Sequence, residues 1–118
     1  MYSSIMRGRV AGALGIIAVL LSAVPAAAQV TSTQEARATE TYNAAVDAAQ
    51  EHRYDAACRG FGNAAVMYEN AIGSLMGQSM ATEEDRDYIK RYANMLQGRA
   101  DEAKKAAKAA CYLRDHPE

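Results

Sequence analysis

The chain has 118 residues, with 13 basic and 14 acidic side chains, half of all residues hydrophobic, no tryptophan and one phenylalanine. That length supports one small domain rather than two independent cores. Near-neutral charge gives no electrostatic reason to bind nucleic acid or anionic lipid, and nucleic acid is excluded as a partner on that ground.

The first segment reads as a targeting signal. Arg7 and Arg9 open the chain, an apolar run follows from Val10 to Val24, and Pro25 breaks it before Ala26-Ala27-Ala28. Positive start, apolar stretch and small residues in that order predict a secretory signal peptide over residues 1–28, cleaved before Gln29. The apolar run of roughly 15 residues falls short of the ~20 that span a bilayer, so no stable membrane insertion is expected after cleavage. No Cys follows the cleavage point to carry a lipid, and Gly8 separates the arginines, so the signal is not of the twin-arginine type. The expected product is an exported protein, periplasmic or secreted, with one all-helical domain over residues 29–118. Arg7 and Arg9 leave with the signal and no acidic residue does, so that domain is mildly acidic.

Residues 29–33 are polar and predict a frayed start. Beyond them good helix formers dominate, and no β-branched alternation reads as a strand, so the fold class is all-α. A first helix is expected from Thr33 to Glu51, with Tyr42, Ala45, Val46 and Ala49 on one face at i, i+3, i+4, i+7. His52-Arg53 ends it. A second helix should start near Tyr54 and run to Ile72 or Met76. Ala57, Phe61, Ala64, Tyr68, Ala71 and Leu75 form its heptad-like seam. Gly60 and Gly62 each cost about 1 kcal/mol in a helix, and a turn at residues 59–63, with Asn63 capping a shorter helix, is the alternative. Gly73, Gly77 and Gln78-Ser79 mark a loop.

The third helix has the clearest start. Thr82 suits the N-cap, and Glu83, Glu84 and Asp85 complement the helix dipole. The helix should run to about Tyr112, with Lys104, Lys105, Lys108 and Arg114 at its far end and i,i+4 pairs Asp87–Arg91 and Asp101–Lys105. Ile89, Tyr92, Leu96, Ala103, Ala106, Ala110 and Leu113 make its expected seam, which Arg99 interrupts. The three together predict a three-helix antiparallel bundle, or one helical hairpin with a long capping helix.

Large apolar residues are few and alanine is abundant, so little area is buried per residue. Cys58 and Cys111 therefore matter. An even pair in a small exported domain points to a disulfide, the alternative being two buried thiols. A plain hairpin of helices two and three centred near Met80 sets Cys58 opposite a residue roughly 13 Å short of Cys111, too far for a bridge, which needs Cα atoms within about 7 Å. Three solutions stand: a connection that extends well past helix two, a tail that folds back, or an intermolecular bond. The glycines at 73 and 77 favour the first.

From Ala38 to Ala71 the chain resembles one tetratricopeptide repeat. Tyr54-Asp55-Ala56-Ala57 is similar to the start of that motif's second helix, and Ala57, Phe61 and Ala64 match its small, aromatic and small positions. Ala44, Ala45 and Ala48 fall where its first helix carries packing residues, while Thr41 and Ala48 replace bulkier ones. The resemblance implies a TPR-like hairpin whose ligands touch the inner face of the first helix, at Thr39, Tyr42, Val46, Ala49 and Gln50. With one repeat rather than about three the usual groove is not formed, and core or ordinary surface is the plain reading of the same residues.

Catalytic chemistry finds no candidate. His52 and His116 lack partners at metal-ligand spacing, and neither a Cys-x-x-Cys pair nor a Gly-rich phosphate loop occurs. The acidic cluster at Glu83-Glu84-Asp85-Asp87 reads as a helix start. Thioethers at Met67, Met76, Met80 and Met95 suit Cu(I), although Met also fills gaps in thin cores. The expected function is a non-enzymatic exported module, without cofactor or metal, that mediates protein–protein interaction or self-association. Its candidate protein-binding residues are Thr39, Tyr42, Val46 and Gln50. The alternative is a small periplasmic copper or stress-response binding protein using its methionines.

Overall fold

A computed structural model describes residues 26–78 and 82–117, with side chains from Gln29 onward. The expected signal segment through Pro25 and the loop residue Met80 lie outside the described residues. Three α-helices follow one another, α1 (Ala26–Gln50), α2 (Tyr54–Met76) and α3 (Glu83–Asp115), and no strand occurs among the described residues. The class is all-α, a three-helix arrangement. Side-chain meetings fix the directions. Tyr42 of α1 meets Phe61 of α2 and Thr39 meets Tyr68, while Cys58 near the start of α2 lies against Cys111 near the end of α3. Each helix thus runs antiparallel to the one before it. α2 is central: α1 and α3 both lie along it and approach each other at few backbone positions.

α1 begins at Ala26, earlier than the frayed start expected through residue 33. The reason lies in the buried line of the helix. Thr31, Ala38 and Ala45 are fully or almost fully buried at intervals of seven, joined by Ala48. The line is therefore rotated from the predicted face, and Tyr42, Val46 and Ala49 flank it half-buried. Small residues hold the closest approach. Gly60 of α2 lies so near α1 that a Cβ on it would sit 2.8 Å from the Ala45 Cβ.

α2 is continuous through Gly60 and Gly62, so the turn alternative is not adopted. All six predicted seam residues, Ala57, Phe61, Ala64, Tyr68, Ala71 and Leu75, are buried. The sheath is mostly alanine, with Leu75, Ile89, Leu96 and Tyr68 as the large members around Ala64 and Ala100. A second cluster gathers Ala45, Ala48, Ala57, Cys58, Phe61 and Ala110.

α3 starts as expected. The Thr82 side chain accepts from the Asp85 N–H at 3.0 Å, and Glu83, Glu84 and Asp85 fill the first turn. Two seam assignments change. Ala100 is buried, and Leu113 is 42% exposed. The buried line advances from Ala103 to Ala110, so Arg114, which reaches towards Asp55 at 3.9 Å, holds the next in-phase position and Leu113 falls one step off it. Of the expected i,i+4 pairs on α3 neither is formed among the described residues; Asp101 accepts from Gln97 instead. The cysteine geometry is resolved by the first of the three solutions. Every residue from Glu83 to Tyr88 is exposed and Ile89 is the first buried one. α3 therefore begins about 9 Å beyond its packing on α2. That shift sets Cys111 against Cys58 with Cα atoms 4.7 Å apart, at disulfide-bonding distance within one chain.

Candidate interaction cleft between the first and third helices

Two helices that lean on a third and meet each other at only a few positions leave a trough above it. Here the trough contains a cleft of about 200 Å³ lined by Thr39 and Tyr42 of α1, Tyr68 of α2, and Arg99 and Glu102 of α3. Its floor is fixed by polar bonds. The hydroxyls of Thr39 and Tyr68 are 2.7 Å apart, which satisfies a phenol on the buried seam of α2. Tyr42 stands edge-on to Phe61, with ring centroids 5.1 Å apart and planes at 62°.

One end of the trough is tied by Glu35 of α1. Its carboxylate accepts from Tyr92 Oη at 2.6 Å and from Arg99 Nη1 at 2.6 Å. Arg99, the charge that interrupts the α3 seam, thus finds a carboxylate across the trough, a half-buried and charge-assisted pair. Burial, and the hydrogen bond to Glu35 next, push the Tyr92 phenol up to about 12. The Tyr42 phenol is also raised, first by burial and then by the Glu102 carboxylate beside it. Both phenols are neutral donors at ordinary pH. Glu102 forms no ion pair among the described residues. The cleft region thus holds two carboxylates, Glu35 and Glu102, against one guanidinium.

The residues singled out from sequence divide. Thr39 and Tyr42 line the cleft. Val46 and Ala49 pack on the second core cluster, and Gln50 is exposed at the end of α1. Glu35, Tyr68, Tyr92, Arg99 and Glu102 were not anticipated as site residues. One signal was present: a charge at 99 on an otherwise apolar face needs a partner when buried. Nothing in the local pattern points to Glu35 as that partner, because the two are 64 residues apart in sequence.

The other candidates are dispersed. Met67 lines a hollow with Arg37, Glu40, Thr41 and Ala44 of α1, and Met76 lines a different one with Ile89 and Ala93 of α3. Met95 is exposed. Among the described residues no three His, Cys, Asp or Glu side chains are grouped to hold a metal ion. His52 faces Tyr54, Nδ1 to Oη 2.9 Å, and His116 stacks on Tyr112 with centroids 4.1 Å apart. No helix among the described residues is long and apolar enough to cross a membrane. No protein-family model matches the sequence, and no curated protein or solved structure is similar enough to it to carry an argument.

Proposed function

We propose that this chain is an exported, non-enzymatic helical module that binds a segment of another protein in the trough between α1 and α3. The observation that carries this reading is the cleft itself. Two tyrosines, a threonine, Arg99 and the Glu102 carboxylate, which has no ion-pair partner among the described residues, line a concavity bridged at one end by the Glu35 tie. Tyrosine offers an apolar body and a polar tip, the combination enriched at protein interfaces. The resemblance of residues 38–71 to a tetratricopeptide hairpin supports the same face, since Thr39 and Tyr42 belong to the inner side of the first helix. Export, with the periplasm as destination, is supported by the charged, apolar and small-residue order of residues 1–28 and by the cysteine pair at bonding distance.

The test is affinity capture from the periplasmic fraction, run in parallel with the wild-type protein and Glu102→Lys. Glu102 is exposed, so its replacement leaves the core intact. A protein recovered by the wild type and lost with the variant supports the reading. Equal recovery by both, or none by either, sinks it.

A further inference from the structure

The polar side chains of the cleft present mainly oxygen. Thr39 Oγ1 and Tyr68 Oη are 2.7 Å apart. The Tyr42 phenol lies within electrostatic reach of Tyr68, and the Glu102 carboxylate stands beside its hydroxyl. Tyr68 is 3% exposed, so the core holds its ring and the Thr39 bond holds its tip. Arg99 is the one nitrogen-bearing side chain in the lining. Its guanidinium is committed to Glu35 at 2.6 Å.

The charges divide in the same way. Arg99 is matched by Glu35, and Lys104 by Glu69 at 2.7 Å. Lys105 is exposed and forms no ion pair with Glu102 among the described residues. Glu102 is therefore the unbalanced charge of the cleft. A ligand suited to this lining carries positive charge and donates without accepting. At about 200 Å³ the cleft is smaller than the roughly 300–1,000 Å³ of sites that enclose a drug-sized molecule. It admits one side chain. A hard metal cation takes six or more oxygen ligands, several of them charged in a tight site, and the lining offers one free carboxylate. Between the two cationic side chains, an ammonium is compact and its three donors diverge towards oxygens on different helices. A guanidinium is a planar fork made for a bidentate carboxylate, and here it would lie beside Arg99. The tyrosine rings give the methylene stem of a lysine an apolar wall.

We infer that the cleft takes a lysine side chain from the partner segment, its ammonium donating to the Glu102 carboxylate and to the hydroxyl oxygens of Tyr42 and the Thr39–Tyr68 pair. The inference rests on the reading of the trough as a protein-binding site and adds which residue of the partner enters it.

Nuclear magnetic resonance of the full chain with carbon-13-labelled tyrosine tests this. The probes are a capped Gly-Ala-Lys-Ala-Gly peptide, the same peptide with norleucine or arginine in place of lysine, and n-butylammonium. The lysine peptide should shift the Tyr42 and Tyr68 ring signals saturably and bind more tightly than each of the others. Glu102→Gln should weaken it by about tenfold, the worth of a charged hydrogen bond. Glu84→Gln, which removes an exposed carboxylate from the far overhang of α3, should leave the affinity unchanged. Unchanged helical circular dichroism confirms that both variants fold. No saturable shift with the lysine peptide overturns the inference. So does norleucine or arginine binding as tightly, or full affinity in Glu102→Gln. Butylammonium binding as tightly as the peptide assigns the cleft to free amines and overturns it too. A partner captured through Glu102, with no ring shift from the lysine peptide, sinks this inference and leaves the interaction reading standing. Ring shifts as expected with no partner captured do the reverse.

Discussion

His52 adopts φ 62°, the left-handed region where an L side chain is strained and glycine is not. The strain serves a stop signal. The Arg53 N–H reaches Ala48 O at 2.8 Å and the His52 N–H reaches Ala49 O at 3.0 Å, the paired bonds that close a helix end. Gly60 has a different reason to be glycine. Gly60→Ala should destabilise the protein by about 1–3 kcal/mol, because its methyl collides with Ala45 in a packed interface. Gly62→Ala meets nothing within 4 Å and should stabilise by about 0.5–1 kcal/mol. Thermal denaturation of the two variants side by side checks the opposite signs. Tyr92 gives a pH signature. Its phenol holds its proton to about 12 in the fold, against about 10 in an unfolded chain. Its contribution is complete below pH ~10 and is lost as pH rises through the folded value. In denaturant melts at stepped alkaline pH, Tyr92→Phe should lose stability less steeply between those limits; identical slopes would disprove the linkage.

The helices themselves were legible because each carries its own punctuation. His52-Arg53 marks the end of α1, the Ala57-to-Leu75 seam marks the buried side of α2, and Thr82 with three acidic residues opens α3. What the sequence hides is how one helix slides against the next. An apolar seam looks the same whichever turn of its neighbour it meets, so the overhang of Glu83–Tyr88 is invisible in the pattern. Only the cysteine spacing demanded such an offset. The early start of α1 was hidden for a related reason: Thr31 lies on the buried line, although its residue type gives no sign of it. The cleft was half-legible, through Thr39 and Tyr42, while its α3 wall depends on a long-range tie to Glu35. At this scale the cysteine pair makes a prediction. It joins positions 53 residues apart, worth about 4 kcal/mol in the chain-entropy treatment. A dithiol reductant should therefore lower the melting temperature sharply. Cys58→Ala with Cys111→Ala should lower it equally and be insensitive to reductant.

For the whole molecule, alanine is the defining material. Ten of the sixteen buried hydrophobic residues of the described chain are alanine, so the helices pack closely while burying little apolar area each. Contacts also run almost entirely between helices adjacent in sequence, α1 with α2 and α2 with α3. An architecture of nearest neighbours loses its parts in order of attachment rather than all together. α3 is fastened to α2 by Leu75, Ile89 and Leu96 and by the cysteine pair. α1 has alanines, the Tyr42–Phe61 contact, the Thr39–Tyr68 hydrogen bond and the Glu35 tie. In native-state hydrogen exchange the amides of α1 should open at lower free energy than those of α2 and α3. Equal protection across all three helices would refute this ordering. The tie that spans the trough is thus also a brace: Glu35 fixes the first helix to the third at one end, and its loss would leave α1 seated on α2 by the Ala38–Ala45 line, the Tyr42–Phe61 contact and the Thr39–Tyr68 bond.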